Sequence, residues 1–168
     1  MIRRGKRTGY EIKQLVDVSV RFVWAASYGQ IYPELRRLEE QGLIEGEPTE
    51  AADGRQRRPY RLTPAGEEAL DRWLLSPAQT GFELRDEGML KLFFSDGMSP
   101  EERVALVARM RTRHEEVSTH LRSIEPVARE TGGGPYATLR YGLAFHDFCA
   151  SWLAGLETEL EEELAGRS

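Results

Sequence analysis

The 168-residue chain has a single cysteine, Cys149, so no disulfide can form within it. That usage fits a reducing, intracellular setting, and a cytoplasmic protein is expected. No run of about 18 apolar residues occurs, so no membrane-spanning helix is predicted. The start, Met1-Ile-Arg-Arg-Gly-Lys-Arg7, is basic, but no apolar run follows it, unlike a signal peptide. Its three histidines, His114, His120 and His146, form no i, i+4 pair, and no metal or cofactor is expected. Gly132-Gly-Gly134 has neither a lysine nor a preceding strand, so it is not a phosphate loop. Paired catalytic carboxylates and a hydrolase elbow are also missing, and Cys149 has no neighbour to activate it. These absences argue against an enzyme.

What is present is unevenly charged. The net charge is −5 over the whole chain. Residues 1–75 carry 13 Lys and Arg against 12 Asp and Glu, whereas residues 76–168 carry 10 against 16. Four of the seven residues from Arg55 to Arg61 are arginines. A near-neutral first half with one focused basic spot permits phosphate binding, while the acidic second half favours solubility.

The first half is punctuated by helix and turn signals. Thr8-Gly-Tyr-Glu11 and Ser27-Tyr-Gly-Gln30 are capping-box patterns, in which side chains at both ends satisfy orphan helix amides. After the first, Tyr10, Ile12, Leu15 and Val16 give an apolar stripe. Val18–Ala26 is ambiguous between helix and strand and is read as a helix end plus turn. After the second, Ile31, Leu35 and Leu38 share one helix face, leaving Gly29, Pro33, Arg36, Arg37 and Glu40 outside. Pro33 conflicts with a regular helix, so either the first turn is kinked or the helix begins near Pro33. Gly42 is the stop signal. Leu43–Glu47 and Arg58–Leu62 are expected to pair as a hairpin with Asp53-Gly54 at its tip. Pro59 is compatible only with an open edge. Thr63-Pro64 starts another helix, carrying Leu70, Trp73 and Leu74.

Residues 76–81 are the expected boundary, giving a first domain over 1–75 and a second over 82–168. In the second, Ser99-Pro-Glu-Glu102 opens a helix along which Val107, Met110, His114, Val117, Leu121 and Ile124 recur at steps of three and four. Thr131-Gly-Gly-Gly-Pro135 is expected to break the chain. A last helix repeats the rhythm through Leu139, Gly142, His146, Cys149, Leu153, Leu156 and Leu160. Seams this narrow call for another helix as partner, and a second copy of the chain is the candidate. The predicted fold is mainly α with a small β-hairpin: a winged helix-turn-helix followed by an antiparallel helical dimerisation domain.

The runs Gly9-Tyr-Glu-Ile12, Gly29-Gln-Ile-Tyr-Pro-Glu-Leu-Arg-Arg-Leu-Glu-Glu-Gln-Gly-Leu-Ile44 and Arg58-Pro-Tyr-Arg-Leu-Thr-Pro-Ala-Gly66 resemble the PadR family of bacterial transcriptional regulators. Leu84–Phe94 resembles the start of the helical C-terminal domain of its larger members. The resemblance covers nearly the whole chain. It implies a homodimeric winged-helix repressor of a palindromic operator on double-stranded DNA, in a family where some members sense small aromatic or hydrophobic molecules. The family has a whole helix before its Gly-Tyr-Glu motif, and here only eight residues precede Gly9. The first helix is therefore expected to be truncated, leaving Ile12 and Leu35 partly uncovered.

Candidate site residues follow from chemistry. Small or flat polar groups near a helix N-terminus can enter a major groove, which singles out Ser27, Gln30, Tyr32 and Arg36. Ser27 and Gln30 are equally suited to capping alone, and Tyr32 to core packing. Arg55, Arg57 and Arg58 on the wing suit backbone phosphates or the minor groove. Thr8 opens a helix whose amides suit a phosphate. Trp24, Trp73, Phe148 and Trp152 are candidates for an aromatic effector site, against the plainer reading of core and interface packing. Leu139, His146, Leu153, Leu156 and Leu160 are the expected dimerisation seam. The alternative function is a winged-helix module that binds ligand or protein and has lost DNA.

Overall fold

The structure, a computed structural model, describes residues 1–17, 27–48, 58–77, 81 and 84–166. They belong to two compact units, Met1–Thr80 and Gly81–Ser168.

In the first unit, a short helical turn at Ile2–Arg4 ends at Gly5, whose φ of 80° suits a residue without a side chain. Helix α1, Gly9–Leu15, starts as its capping box predicts. Thr8 Oγ1 accepts from the Glu11 amide at 3.2 Å, and Glu11 Oε2 accepts from the Thr8 amide at 2.9 Å. Ile12 and Val16 are buried, but Tyr10 lies off the stripe and is half exposed. The expected turn at Val18–Ala26 falls outside the described residues. Helix α2, Tyr28–Glu40, begins at Tyr28 and passes through Pro33. The proline removes the amide that would reach the Gly29 carbonyl. Both residues are exposed, so the site is open to water. Gly42, at φ 68°, ends α2, with its amide on the Glu39 carbonyl and that of Leu43 on the Leu38 carbonyl.

Strands β1, Ile44–Gly46, and β2, Tyr60–Leu62, pair antiparallel with Ile44 opposite Leu62. The Glu47 amide donates to the Pro59 carbonyl at 2.8 Å and carries the pairing one step further. The predicted tip, Asp53-Gly54, falls outside the described residues. Helix α3, Pro64–Leu74, has Thr63 as its cap and Pro64 in its first turn. It approaches β1 so closely that a Cβ on Gly66 would lie 1.9 Å from the Leu43 carbonyl oxygen. Trp73 and Leu74, at its end, are exposed.

One cluster unites these elements: Ile12, Val16, Ile31, Leu35, Ile44 and Tyr60, with Ile2, Tyr32, Leu38 and Leu62 against it. The expected gap over Ile12 and Leu35 is not there, since they are 8% and 4% exposed. Ile2 packs on the cluster, and the Arg7 carbonyl accepts from the Tyr60 amide at 2.9 Å, drawing the N-terminal segment along β2.

The second unit is helical: α4, Glu87–Phe93; α5, Pro100–Thr131; and α6, Gly133–Ala165. Ser99 and Glu102 form the predicted capping box of α5. The Gly-rich break shrinks to Gly132, at φ 63°, followed by Gly133 at φ 58° at the start of α6, because Pro135 fits the first turn of α6, where its missing amide has no helical partner to lose. α5 and α6 therefore form a long antiparallel hairpin, pinned by Arg111–Glu157 at 2.7 Å and Arg122–Asp147 at 2.7 Å. Val107, Val117, Leu121, Leu139 and Leu153 fill it.

The histidines that look scattered in sequence are not scattered in space. Across the hairpin, His114 Nδ1 lies 2.8 Å from His146 Nδ1, so one ring donates and the other accepts. Burial holds the pKa of His146 down to about 4, with His114 and Arg113 adding to the effect and Asp147 opposing it. Burial lowers that of His114 as well, Arg113 assisting and Asp86 opposing.

Candidate nucleic-acid interface

Ser27, itself in an extended conformation, caps the exposed first turn of α2. Gln30 Oε1 accepts from the Ser27 amide at 2.9 Å and its hydroxyl at 3.2 Å. The carboxamide oxygen is thus used in capping. Tyr28, half exposed, extends the surface and stacks on Tyr32 at 6.0 Å, with Lys13 Nζ 5.5 Å from its ring centroid. Sequence reasoning passed over Tyr28, although its place directly after a cap was the available signal. Tyr32 itself turns inward. Its ring lies where a Cβ on Gly9 would come within 2.5 Å, and burial raises its phenol above the ordinary value, with Tyr28 and Tyr60 adding.

The neighbouring arginines differ. Arg37 is held by Glu34 at 2.5 Å and by Gln41 at 3.0 Å. Arg36 is exposed and has no salt bridge among the described residues, a condition shared in this unit by Arg4 and Lys6. Thr8 is occupied within the chain. Glu11 Oε2 takes the amides of Arg7 and Thr8 and the Thr8 hydroxyl, so a carboxylate stands where a phosphate was expected. Those hydrogen bonds, the one to the Thr8 amide foremost, hold the Glu11 carboxyl below its usual range. Arg58 is folded back on Glu39 of α2, while Arg55 and Arg57 fall outside the described residues.

An exposed, capped helix beside a two-stranded wing is a winged helix-turn-helix arrangement, and comparison with known proteins agrees. Residues 1–72 match the transcriptional regulator PadR-like family, and residues 84–161 the virulence activator alpha C-terminal family. The negative transcriptional regulator PadR of Bacillus subtilis is 31% identical over 102 residues, 61% of this chain. That match spans 56% of the relative's own length. The crystal structure of Bacillus subtilis PadR in complex with operator DNA superposes with a TM-score of 0.79 at 26% identity, covering 94% of this chain and 92% of that one. The first unit carries a PadR-like transcriptional-regulator domain. A further structure, of Bacillus subtilis PadR in complex with p-coumaric acid, aligns at 25% identity and TM-score 0.74, over 95% and 94% of the two chains. These relatives regulate transcription and are not enzymes.

For a PadR-like regulator, two other groups of residues matter. Of the candidate effector aromatics, Trp24 falls outside the described residues. Trp73 is 71%, Phe148 68% and Trp152 48% exposed, so none is core. The expected dimerisation seam requires correction. Leu139, His146 and Leu153 are buried in the hairpin against α5, and Leu156 and Leu160 are half-buried. A one-residue break lets α6 fold back on α5, so the seam finds its partner within the chain. The apolar side chains that α6 turns outward are Tyr141, Phe148 and Trp152.

Proposed function

We propose that the protein is a cytoplasmic, homodimeric repressor that binds a palindromic operator and responds to a small aromatic or hydrophobic effector. The observation that carries this reading is the exposed N-terminal half of α2. Ser27, Tyr28 and Gln30 present polar and aromatic groups there, and Arg36, further along the helix, is exposed with no salt bridge among the described residues. Such a helix suits the major groove, with Arg55 and Arg57 of the wing on phosphate or in the minor groove. Thr8 and Tyr32 support the surface from within, as a cap and as packing against α1. The complex of Bacillus subtilis PadR with operator DNA supports duplex DNA as the partner.

The outward apolar residues of α6 support a second copy as partner, since exposed apolar groups of this size favour association. Two wing units on a two-fold axis read half-sites about one helical turn apart. The p-coumaric acid complex of the same relative supports the effector class. The test is fluorescence anisotropy with duplex DNA from upstream of the protein's own gene. Binding stronger than to random duplex at about 0.15 M salt, weakened by p-coumaric acid, is expected. Equal binding to both duplexes refutes the operator reading, and indifference to phenolic acids refutes the effector.

A further inference from the structure

Arg58 sits among the arginines of the wing, where a phosphate ligand is the natural reading. Its guanidinium is engaged inside the fold. Nη1 donates to Glu39 Oε2 at 3.1 Å, and Nη2 donates to the Gly46 carbonyl at 3.2 Å and lies 2.8 Å from Glu39 Oε1. The guanidinium carbon lies 5.5 Å from the Tyr60 ring centroid. Glu39 Oε1 also accepts from the Gly46 amide at 3.1 Å. One carboxylate at the end of α2 therefore holds both sides of the wing, β1 through an amide and the start of β2 through an arginine. Glycine at position 46 is part of the device, because a Cβ there would lie 2.1 Å from Arg58 Nε.

We propose that Arg58 is a positioning residue, clipped to Glu39 and Gly46, which fixes the angle between α2 and the wing so that both meet one duplex. This inference rests on the DNA-binding reading above. It makes predictions opposite to those of a phosphate contact. Removing the negative charge of Glu39 should strengthen attraction to DNA by charge alone, whereas loss of the clip should weaken binding. Lysine can replace arginine as a point charge on phosphate, but it cannot reproduce the forked donation that spans Glu39 and Gly46.

The experiment uses the full chain and the upstream duplex over a salt series, with Glu39→Gln, Arg58→Lys and Arg58→Ala, and Arg55→Ala as a phosphate-contact reference. Each of the first three is expected to weaken binding by at least about fivefold, with the slope of log K against log salt unchanged; a lost phosphate contact reduces that slope by about 0.9. Wild-type affinity in Arg58→Lys, tighter binding in Glu39→Gln, or a flattened slope in Arg58→Ala overturns the proposal. Without DNA, Glu39→Ala should speed amide exchange at Gly46, and unchanged exchange overturns the clip by itself. A wild-type chain that binds no duplex overturns the DNA-binding reading, and the clip's role with it; unchanged exchange with intact DNA binding overturns the clip alone. Circular dichroism melts of Glu39→Gln and Arg58→Lys should stay near wild type, separating lost positioning from lost folding.

Discussion

Acidification should loosen the α5–α6 hairpin through one side chain, His146. An unfolded histidine takes up its proton near pH 6.5, whereas His146 in the fold does so only at about 4. Between those values the unfolded chain holds a proton that the folded one lacks, so stability falls as pH falls and is fully present above about 6.5. Full protonation of the pair would set two N–H donors against each other across 2.8 Å, with Arg113 adding to the repulsion and Asp86 and Asp147 opposing it. A tenfold change in proton affinity is worth about 1.4 kcal/mol, and integrating from pH 7 to 4.5 gives a loss of about 2 kcal/mol from His146. The assay is urea unfolding at both pH values and fixed protein concentration, comparing wild type with His146→Leu. Wild type should lose about 2 kcal/mol more than the variant, since titrating groups away from the His114–His146 pair cancel in the comparison. Equal losses would refute the reasoning.

Gly66→Ala should unfold the wing unit or cost about 3 kcal/mol or more, because its Cβ would meet the backbone oxygen of Leu43; a thermal melt monitored by circular dichroism decides. Leu121→Ala, at a side chain 1% exposed, should cost about 2–5 kcal/mol in urea unfolding. Thr8→Ala removes the hydroxyl half of the α1 cap and should cost about 1 kcal/mol by the same measure. Trp152→Lys should shift the proposed dimer toward monomer in analytical ultracentrifugation, while Leu153→Ala, inside the hairpin, should act first on folding.

The local parts of this fold were legible in the order of residues. Thr8 with Glu11, Ser27 with Gln30 and Ser99 with Glu102 interact across three positions, so spacing alone located three helix starts. Gly42 marked the end of α2 because the positive φ there suits a residue without a side chain. The apolar faces of α2 and α5 followed from helical period, and the wing strands from flanking turn residues. The candidate DNA-facing helix was readable for the same reason.

Partner choice was not local, and only the tertiary structure decided it. Arg58 meets Glu39 across 19 positions, His114 meets His146 across 32, and Arg111 meets Glu157 across 46. No periodicity says that Arg58 turns back to the carboxylate of Glu39 or that Arg61 pairs with Glu45. Nor does an apolar rhythm on α6 say whether its seam will meet a second copy or its own α5. The length of the break between the helices determines that, and Gly132 with Gly133, both at positive φ, folds the seam inward. The sequence by itself determined the elements, their caps and the winged fold; three-dimensional proximity decided which charged, aromatic and apolar groups remained to face a partner.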